Sequence, residues 1–356
     1  MGNRSMSLSQ TSGRCGHRRE ANVIVDSASP CPFNGAPFVV MVPLFNDWAA
    51  VDAMLTELSQ VCDKENLRPH VLLIDDGSTT RTPVDFLIGC PTIVDRVHIL
   101  ALRRNIGHQR AIAIGLAYLS EQLSTQPVIV MDGDGEDAPT DVFRLWKQYL
   151  ASVDDSIVFA ERSRRSESVI FRIFYRLYKA AHLFLTGYHV CVGNFSLVPY
   201  AALQRLVAVS ELWNHYAAAV YKARLPFTTI PTNRAERLCG RSKMNFTSLV
   251  IHGLSAMSVH AETIGTRALV SFMIIAVLCV LGLLAVVGIR LGTTLAIPGW
   301  ATVAVGILTL IFMQTVMLAL LFVFVILGGR QSSTFLPIRD YRYYVLQLEY
   351  LVDVAS

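Results

Sequence analysis

Charge is scarce in this chain. Of its 356 residues only 16% are charged, against roughly a quarter in a soluble globule, and the mean hydropathy is +0.44. That shortage excludes an ordinary soluble surface over the whole length. The formal net charge of +4 is too small to argue for nucleic acid, so no nucleic-acid partner is expected. Seven cysteines lie scattered without a CxxC pair, which excludes a disulfide framework and the common zinc spacings and suits a reducing compartment. No GxGxxG follows the first apolar run, so dinucleotide binding has no support. Residues 1–35 lack an apolar stretch of signal-peptide type and carry Arg4, Arg14, Arg18 and Arg19. They read as a disordered basic tail.

The apolar surplus is concentrated late in the chain. Ala268–Ile289 has no charge, and Gly299–Leu327 is broken only by Gln314. Each is long enough to cross a hydrocarbon core of about 30 Å at about 1.5 Å per residue. Arg290–Pro298 is a short connector, so the two spans over 268–330 form a hairpin with both ends on one side. Arg267 precedes the first span, and Arg330, Arg339 and Arg342 follow the second, whereas the connector holds only Arg290. The bias of basic residues places the body and the C-terminal segment, 331–356, on the cytoplasmic side.

From residue 37 short apolar runs alternate with helical patterns. Phe38–Val42, His70–Ile74, Val97–Leu100, Val128–Met131 and Ile157–Ala160 read as strands; Ala49–Val61, Ile112–Leu119 and Val142–Leu150 read as helices. This alternation predicts an α/β body with a mostly parallel sheet between helices. In such sheets ligands bind beyond the carboxyl ends of the strands. Those ends carry Pro43 to Asp47, Asp75-Asp76-Gly77-Ser78, Arg104-Asn105-Ile106-Gly107-His108-Gln109 and Asp132-Gly133-Asp134-Gly135-Glu136-Asp137. Four polar, glycine-bearing turns define one crevice.

Asp132 and Asp134 flank a single glycine directly after a strand. Carboxylates two apart in a turn can point the same way, and a hard cation takes oxygen ligands. Mg²⁺ typically uses one or two carboxylates together with phosphate oxygens, so the turn implies Mg²⁺ or Mn²⁺ bound with a diphosphate. A calcium loop is disfavoured because its sixth position, normally glycine, is Asp137.

Taken together these pieces resemble the GT-A fold of the family 2 inverting glycosyltransferases, and more narrowly the polyisoprenyl-phosphate glycosyltransferases. The matching stretches are Val42-Pro43 with Asn46-Asp47, Ile74 to Ser78, Arg104-Asn105-x-Gly107-His108-Gln109 with Ala113-x-Gly115, Met131 to Asp134, Glu161-Arg162, and Arg237-Leu238-Cys239-Gly240-Arg241-Ser242-Lys243. The resemblance implies a catalytic domain over residues 36–235, a juxtamembrane segment over 236–267, and transfer of one sugar from a UDP-hexose or similar donor to a polyisoprenyl phosphate. It implies donor contacts at Pro43, Asn46, Asp47, Asp76, Gly77, Asn105, Gly107, Gln109, Asp132 and Gly133, with the metal at Asp132 and Asp134. It further implies that Asp134, Glu136, Arg237 and Lys243 stand at the reaction centre and that Arg162 and Ser242 face phosphate. Arginine offers a rigid fork to phosphate and lysine a mobile point charge.

The sequence also departs from that group. Asn194 stands where Asp is usual and Ser196 where Arg is usual, which keeps open a sugar hydroxyl of a lipid-linked glycan as acceptor. That reaction needs a base, for which Glu136 and Asp137 are the candidates. A silent scaffold retaining the fold is a third reading, opposed by the intact acidic pair. Arg165, Arg172, Arg176 and Lys179 share one stripe of a helical pattern over Glu167–Leu185, which predicts an interfacial helix that meets lipid phosphate. The expected setting is a bacterial inner membrane, with room for self-association through the hairpin.

Overall fold

The computed structural model describes residues 18–22, 32–83, 85–87, 90, 93, 96–152, 154–162, 179–180, 182–187, 192–233, 237, 253–293, 299–331 and 335–352. The chain divides into two compact units. One comprises Met1–Ser166, Cys191–Leu249 and Phe335–Ser356; the other comprises Glu167–Val190 and Val250–Thr334.

The first unit is an α/β body. Its described strands are β1 (Arg18–Asn22), β2 (Val39–Leu44), β3 (His70–Asp75), β4 (Val97–Leu102), β5 (Val128–Val130), β6 (Ile157–Arg162), β7 (Ser196–Val198), β8 (Phe227–Thr232) and β9 (Val345–Val352). They form one sheet in the order β1-β9-β4-β3-β2-β5-β7-β6-β8. Strands β4, β3, β2 and β5 run parallel. Strand β7 lies antiparallel to both β5 and β6, and β9 lies antiparallel to β4. The parallel strands are apolar on both faces, as burial on both sides requires. Val39, Met41, Leu72 and Ile74 face one core; Val40, Val42, Val71 and Leu73 face the other.

Helices α1 (Trp48–Lys64) and α3 (Pro139–Ala151) cover one face. Helix α2 (His108–Gln122) covers the opposite face with α4 (Tyr200–Leu206) and α5 (Tyr216–Lys222). Gly115 lets α2 lie close on the sheet: a Cβ there would come within 2.5 Å of Met41 Sδ and 2.8 Å of Ile74 Cδ1.

The strands expected from alternation are present. Pattern reading missed β7, β8, β9 and β1. Strand β7 has three residues and β8 is exposed at several positions, so neither shows a sustained apolar period. Residues 1–35 were expected to be a tail, but Arg18–Asn22 pairs with Val352–Leu348 of β9. Residues 331–356 were expected to stand apart, yet they supply β9 and the fully buried Tyr341 to the body. Both departures have one cause: these strands pair with partners from the opposite end of the chain, which no local pattern reveals.

The second unit contains α6 (Ala261–Gly292) and α7 (Trp300–Gln331). Both are long and apolar enough to cross a membrane, and each extends past the uncharged run read from sequence. They pack on each other through Phe272 and Phe322, whose ring centroids lie 5.7 Å apart. A Cβ at Gly265 would come within 2.7 Å of Ile326, and one at Gly282 within 3.3 Å of Leu308. Most remaining apolar side chains of both helices are exposed, the pattern of helices that face lipid. The cationic stripe at Arg165, Arg172 and Arg176 lies outside the described residues, as do Ser242 and Lys243.

Candidate active site

The crevice forms where β2, β3, β4 and β5 end together. Pro43 is paired on one side only. Main-chain groups of Val39 and Met41 bond toward β5, to Pro127 and Met131, and that ladder stops at Met41. By alternation the nitrogen of Pro43 points where no ladder bond is needed. The next turn holds Asn46 at φ 55°, a conformation that asparagine tolerates better than most residues. Its Oδ1 accepts from the main-chain N–H groups of Thr79 (2.8 Å) and Thr80 (2.9 Å). Its Nδ2 donates to Thr79 Oγ1 at 3.1 Å, and its own N–H donates to Ser78 Oγ at 3.0 Å. Asn46 therefore ties two strand ends together.

The two aspartates after β3 do different things. Asp76 is 3% exposed. Its Oδ1 accepts from Ile106 N–H at 2.7 Å and its Oδ2 from Gly107 N–H at 2.9 Å. Burial raises its pKa against the opposing pull of those two bonds. Asp75 is half-buried and accepts from Ser78 N–H at 2.8 Å through Oδ1. With Trp48, Ser78, Thr79, Thr80, Arg81 and Thr82 it lines a pocket of about 370 Å³. Gly77, at φ 68°, brings this turn against the one after β4: a Cβ would come within 2.7 Å of Arg104 C and Asn105 N. Gly107 begins α2 at φ 93°, and the Asn105 side chain is exposed.

Gly133 sits where a Cβ would come within 2.8 Å of Val51 and 2.9 Å of Val42, so only glycine lets the acidic turn lie this close to α1 and β2. Asp137 is buried, and its Oδ2 accepts from Asp132 N–H at 3.1 Å. Glu136 donates its N–H to Asp134 Oδ1 at 3.1 Å. Arg237 stands between two turns: Nη2 lies 3.6 Å from Asp47 Oδ2 and Nη1 lies 3.6 Å from Asp134 Oδ2. Burial raises the pKa of Asp134, and the nearby Glu136 and Asp132 carboxylates add to this while Arg237 opposes it. The turn thus concentrates negative charge that a cation would neutralise.

Two residues at the site were seen in the sequence but not assigned a role there. His108 begins α2 with Nε2 3.1 Å from Asp132 Oδ1. Crowding by protein atoms opposes its charge, but Asp132, then Asp134 and Asp76, outweigh that and raise its pKa. The second is Asn194, whose Nδ2 lies 3.1 Å from His108 Nε2. Gln109, expected at the donor, donates to Asn194 Oδ1 at 3.0 Å and accepts from Tyr216 N–H at 2.8 Å. His108 stands inside the motif quoted for Gln109, which was the available signal. Ser196 is fully buried and bonds Tyr216 Oη at 2.6 Å, so position 196 faces the core. The main chain of Arg162 ends β6; its side chain lies outside the described residues.

Residues 39–207 match the family model described as Glycosyl transferase family 2. The body is a family 2 glycosyltransferase domain. The chain is 22% identical over 323 residues to an uncharacterised glycosyltransferase, YkcC, of Bacillus subtilis (strain 168), covering 89% of this chain and 95% of the relative. It is 25% identical over 232 residues to the undecaprenyl-phosphate 4-deoxy-4-formamido-L-arabinose transferase of Salmonella choleraesuis, covering 61% of this chain. That match spans 66% of the relative, slightly under two thirds of its length. Among solved structures, glucosyl-3-phosphoglycerate synthase from Mycobacterium tuberculosis aligns at TM-score 0.48 and 14% identity, over 65% of this chain and 81% of that one. The mannosyltransferase PcManGT from Pyrobaculum calidifontis, solved with GDP-Man and Mn²⁺, aligns at TM-score 0.39 and 15% identity, over 85% and 88%.

The donor set of the glycosyltransferase suits a hard divalent ion held jointly with a ligand. Asp132 and Asp134 offer carboxylate oxygens at the crevice, and the charge around Asp134 is only partly offset by Arg237. Among the described residues no three His, Cys, Asp or Glu side chains cluster to hold a metal alone. An ion there needs further oxygens, such as those of a diphosphate.

Proposed function

We propose that this glycosyltransferase moves a single sugar from a nucleoside-diphosphate donor, a UDP-hexose, to a polyisoprenyl phosphate at the cytoplasmic face of a bacterial inner membrane. The observation that carries the reading is Arg237, set 3.6 Å from both Asp47 and Asp134. It joins the turn after β2 to the acidic turn at one point in the crevice. Asp132 and Asp134 would hold Mg²⁺ or Mn²⁺ together with oxygens of the donor diphosphate, and such an ion would supply positive charge against the leaving group. Arg237, assisted by Lys243, Ser242 and Arg162, holds phosphate oxygens. The pocket beside Trp48 and Asp75 receives the nucleoside, and Asn46, Asp76 and Gly77 shape it.

A phosphate monoester has its second pKa near 6, so at neutral pH the acceptor oxygen is already a nucleophile. That oxygen bonds to the anomeric carbon as the bond to the diphosphate breaks, and the nucleoside diphosphate leaves with the electron pair. The centre inverts, and no general base is required. The protein's part is to align two anionic reactants and offset their repulsion.

The acceptor assignment draws on the relatives whose names specify undecaprenyl phosphate and on the two apolar helices. The rival acceptor, a sugar hydroxyl, was motivated by Ser196 in place of Arg. With Ser196 in the core, that motive weakens. Asp137, one candidate base, is engaged by Asp132 N–H. The cytoplasmic placement of the body and the C-terminal segment rests on the excess of basic residues flanking the hairpin over its connector.

The test is transfer from radiolabelled UDP-sugars to undecaprenyl phosphate by the full chain in proteoliposomes with Mn²⁺. A labelled lipid product is expected, lost on chelation and in Asp134→Ala. Product that forms only on a lipid-linked glycan would reject this acceptor. Absence of any UDP-sugar turnover or binding would reject the reading as a whole.

A further inference from the structure

Three exposed arginines stand on the β4 side of the crevice. Arg103 and Arg104 follow β4, and Arg110 lies in the first turn of α2. Among the described residues none of the three pairs with a carboxylate. Aromatic rings gather at the same place. Arg110 lies over Trp213, its Cζ 5.1 Å from the ring centroid. Trp213 packs on Phe335, with centroids 3.8 Å apart, and on Tyr344 at 5.1 Å; all three rings are only partly buried. Arg103 donates its main-chain N–H to Tyr344 O at 2.8 Å, which ties the turn after β4 to the ring cluster. The adjoining Tyr343 is 77% exposed. Carboxylates close to these rings in sequence are already engaged, Glu211 by Lys222 and Asp340 by Arg339. The patch therefore keeps its positive charge. Phe335 also follows Gln331, the last residue of α7, by only four positions, at most about 14 Å of extended chain.

We infer that Arg103, Arg104 and Arg110, with the rings of Trp213, Phe335 and Tyr344, form a docking surface for the anionic headgroups of a bilayer. Half-exposed Trp, Tyr and Phe suit the membrane–water boundary, where one side of a ring is apolar and the other wet. Guanidinium groups stack on such rings and still present N–H donors to lipid phosphate. Unpaired arginines complement the negative potential of a leaflet, and each strengthens binding to it about fivefold. Three give about 100-fold. The inference rests on the proposed membrane role of the hairpin and adds to it a surface of the α/β body itself. That surface borders the crevice, because the turn at Gly77 packs against Arg104 and Asn105. Headgroups held there lie at the edge of the proposed active site, on the side from which a lipid-linked acceptor arrives.

The experiment uses the full chain, labelled with fluorotryptophan, in nanodiscs whose lipids carry a nitroxide on the headgroup. The chain has four tryptophans, and each ¹⁹F signal is assigned by the one lost on substitution to Phe. Trp213 reports the patch. Trp146 packs on the opposite face of the sheet and serves as the reference; Trp300 opens α7 and reports insertion of the hairpin. In discs rich in phosphatidylglycerol the Trp213 signal is expected to broaden while that of Trp146 stays sharp. The broadening should be lost in pure phosphatidylcholine discs. It should also be lost in phosphatidylglycerol with Arg103→Gln, Arg104→Gln and Arg110→Gln combined, because docking then weakens about 100-fold. Unchanged Trp48 and Trp146 shifts show that this variant keeps its fold, and the phosphatidylcholine arm needs no variant at all. A Trp213 signal as sharp as that of Trp146 in phosphatidylglycerol would overturn the inference. So would broadening that persists in phosphatidylcholine or in the triple variant, since tethering alone would then explain it. Absence of Trp300 broadening in every disc would overturn the hairpin reading, and this surface with it.

Discussion

Asp75 and Asp76 are neighbours with opposite expected phenotypes. The Asp76 carboxylate is buried and accepts two main-chain N–H bonds from the turn that opens α2. Asp76→Asn keeps one acceptor oxygen and sets an NH₂ against the second N–H. Losing one bond to a charged acceptor costs about 1.5–3 kcal/mol, and leaving a buried donor unsatisfied costs about 1–3 kcal/mol. The sum is about 4 kcal/mol, with no discount for solvent because the group is 3% exposed. For a body of this size that is a fall in Tm of roughly 8–16 °C. Asp75→Asn keeps the oxygen that Ser78 N–H needs and lies in the pocket wall. It should cost less than about 1 kcal/mol in stability and mainly weaken UDP binding. Thermal unfolding by near-UV circular dichroism, paired with calorimetric titration of UDP well below both midpoints, separates the two. An Asp76→Asn protein with an unchanged midpoint but lost UDP affinity would refute the reasoning. It would mean that the carboxylate serves the ligand and not the turn.

Gly77→Ala places a methyl within 2.7 Å of main-chain atoms of Arg104 and Asn105 at φ 68°; a loss of about 3 kcal/mol or more is expected in the same unfolding assay. His98 is 4% exposed, and burial, with His70 adding, holds its pKa at about 3. Because the unfolded chain takes up that proton near pH 6.5, stability is complete above it and falls as the pH drops toward 3, by about 1.4 kcal/mol between pH 8 and 5.5. His98→Phe should remove that share of the acid sensitivity, measured as the difference in midpoint between the two pH values. Tyr341 is buried and donates to Glu121 Oε2 at 2.9 Å; Tyr341→Phe should cost about 1 kcal/mol and Tyr341→Ala about 3–5 kcal/mol. The Ala protein alone should be cut by protease in residues 335–352.

The parallel strands were legible because a buried strand is apolar throughout and short: Val39–Leu44 and Val97–Leu102 announce themselves without any partner. The crevice was legible because four such strands end in polar turns. What each polar side chain does there was not. Asn46, Asp76 and Gln109 were read as donor contacts; the structure adds that each bonds main-chain atoms more than twenty residues away. A sequence gives the residue type and the strand end but not the identity of the neighbouring turn. Asn194 was visible as a departure from a family pattern, but its meaning required knowing that β7 runs back beside β5. Strands β1 and β9 stayed hidden for the same reason. Their pairing joins the two ends of the chain, and an eight-residue strand at a terminus looks no different from a segment packed against nothing.

The position of α2 shows how far the site depends on remote chain. Its first turn presents His108 and Gln109 to Asn194 and Tyr216. Its last turn presents Glu121 to Tyr341 and Arg342. Those two residues follow α7 in sequence, as does β9, which occupies the edge of β4 from His98 to Leu102. Until the hairpin has been synthesised, β4 is an open edge with unpaired main-chain groups, the kind of edge that invites pairing with other chains. A fragment ending before Ala261 would retain Asp132, Asp134 and Arg237, yet it would lack the strand that closes β4 and the ring that packs beneath α2. The acidic turn is local, but the helix that carries its histidine is anchored by residues that follow the second apolar helix. Completion of the α/β body therefore requires residues that follow the second apolar helix.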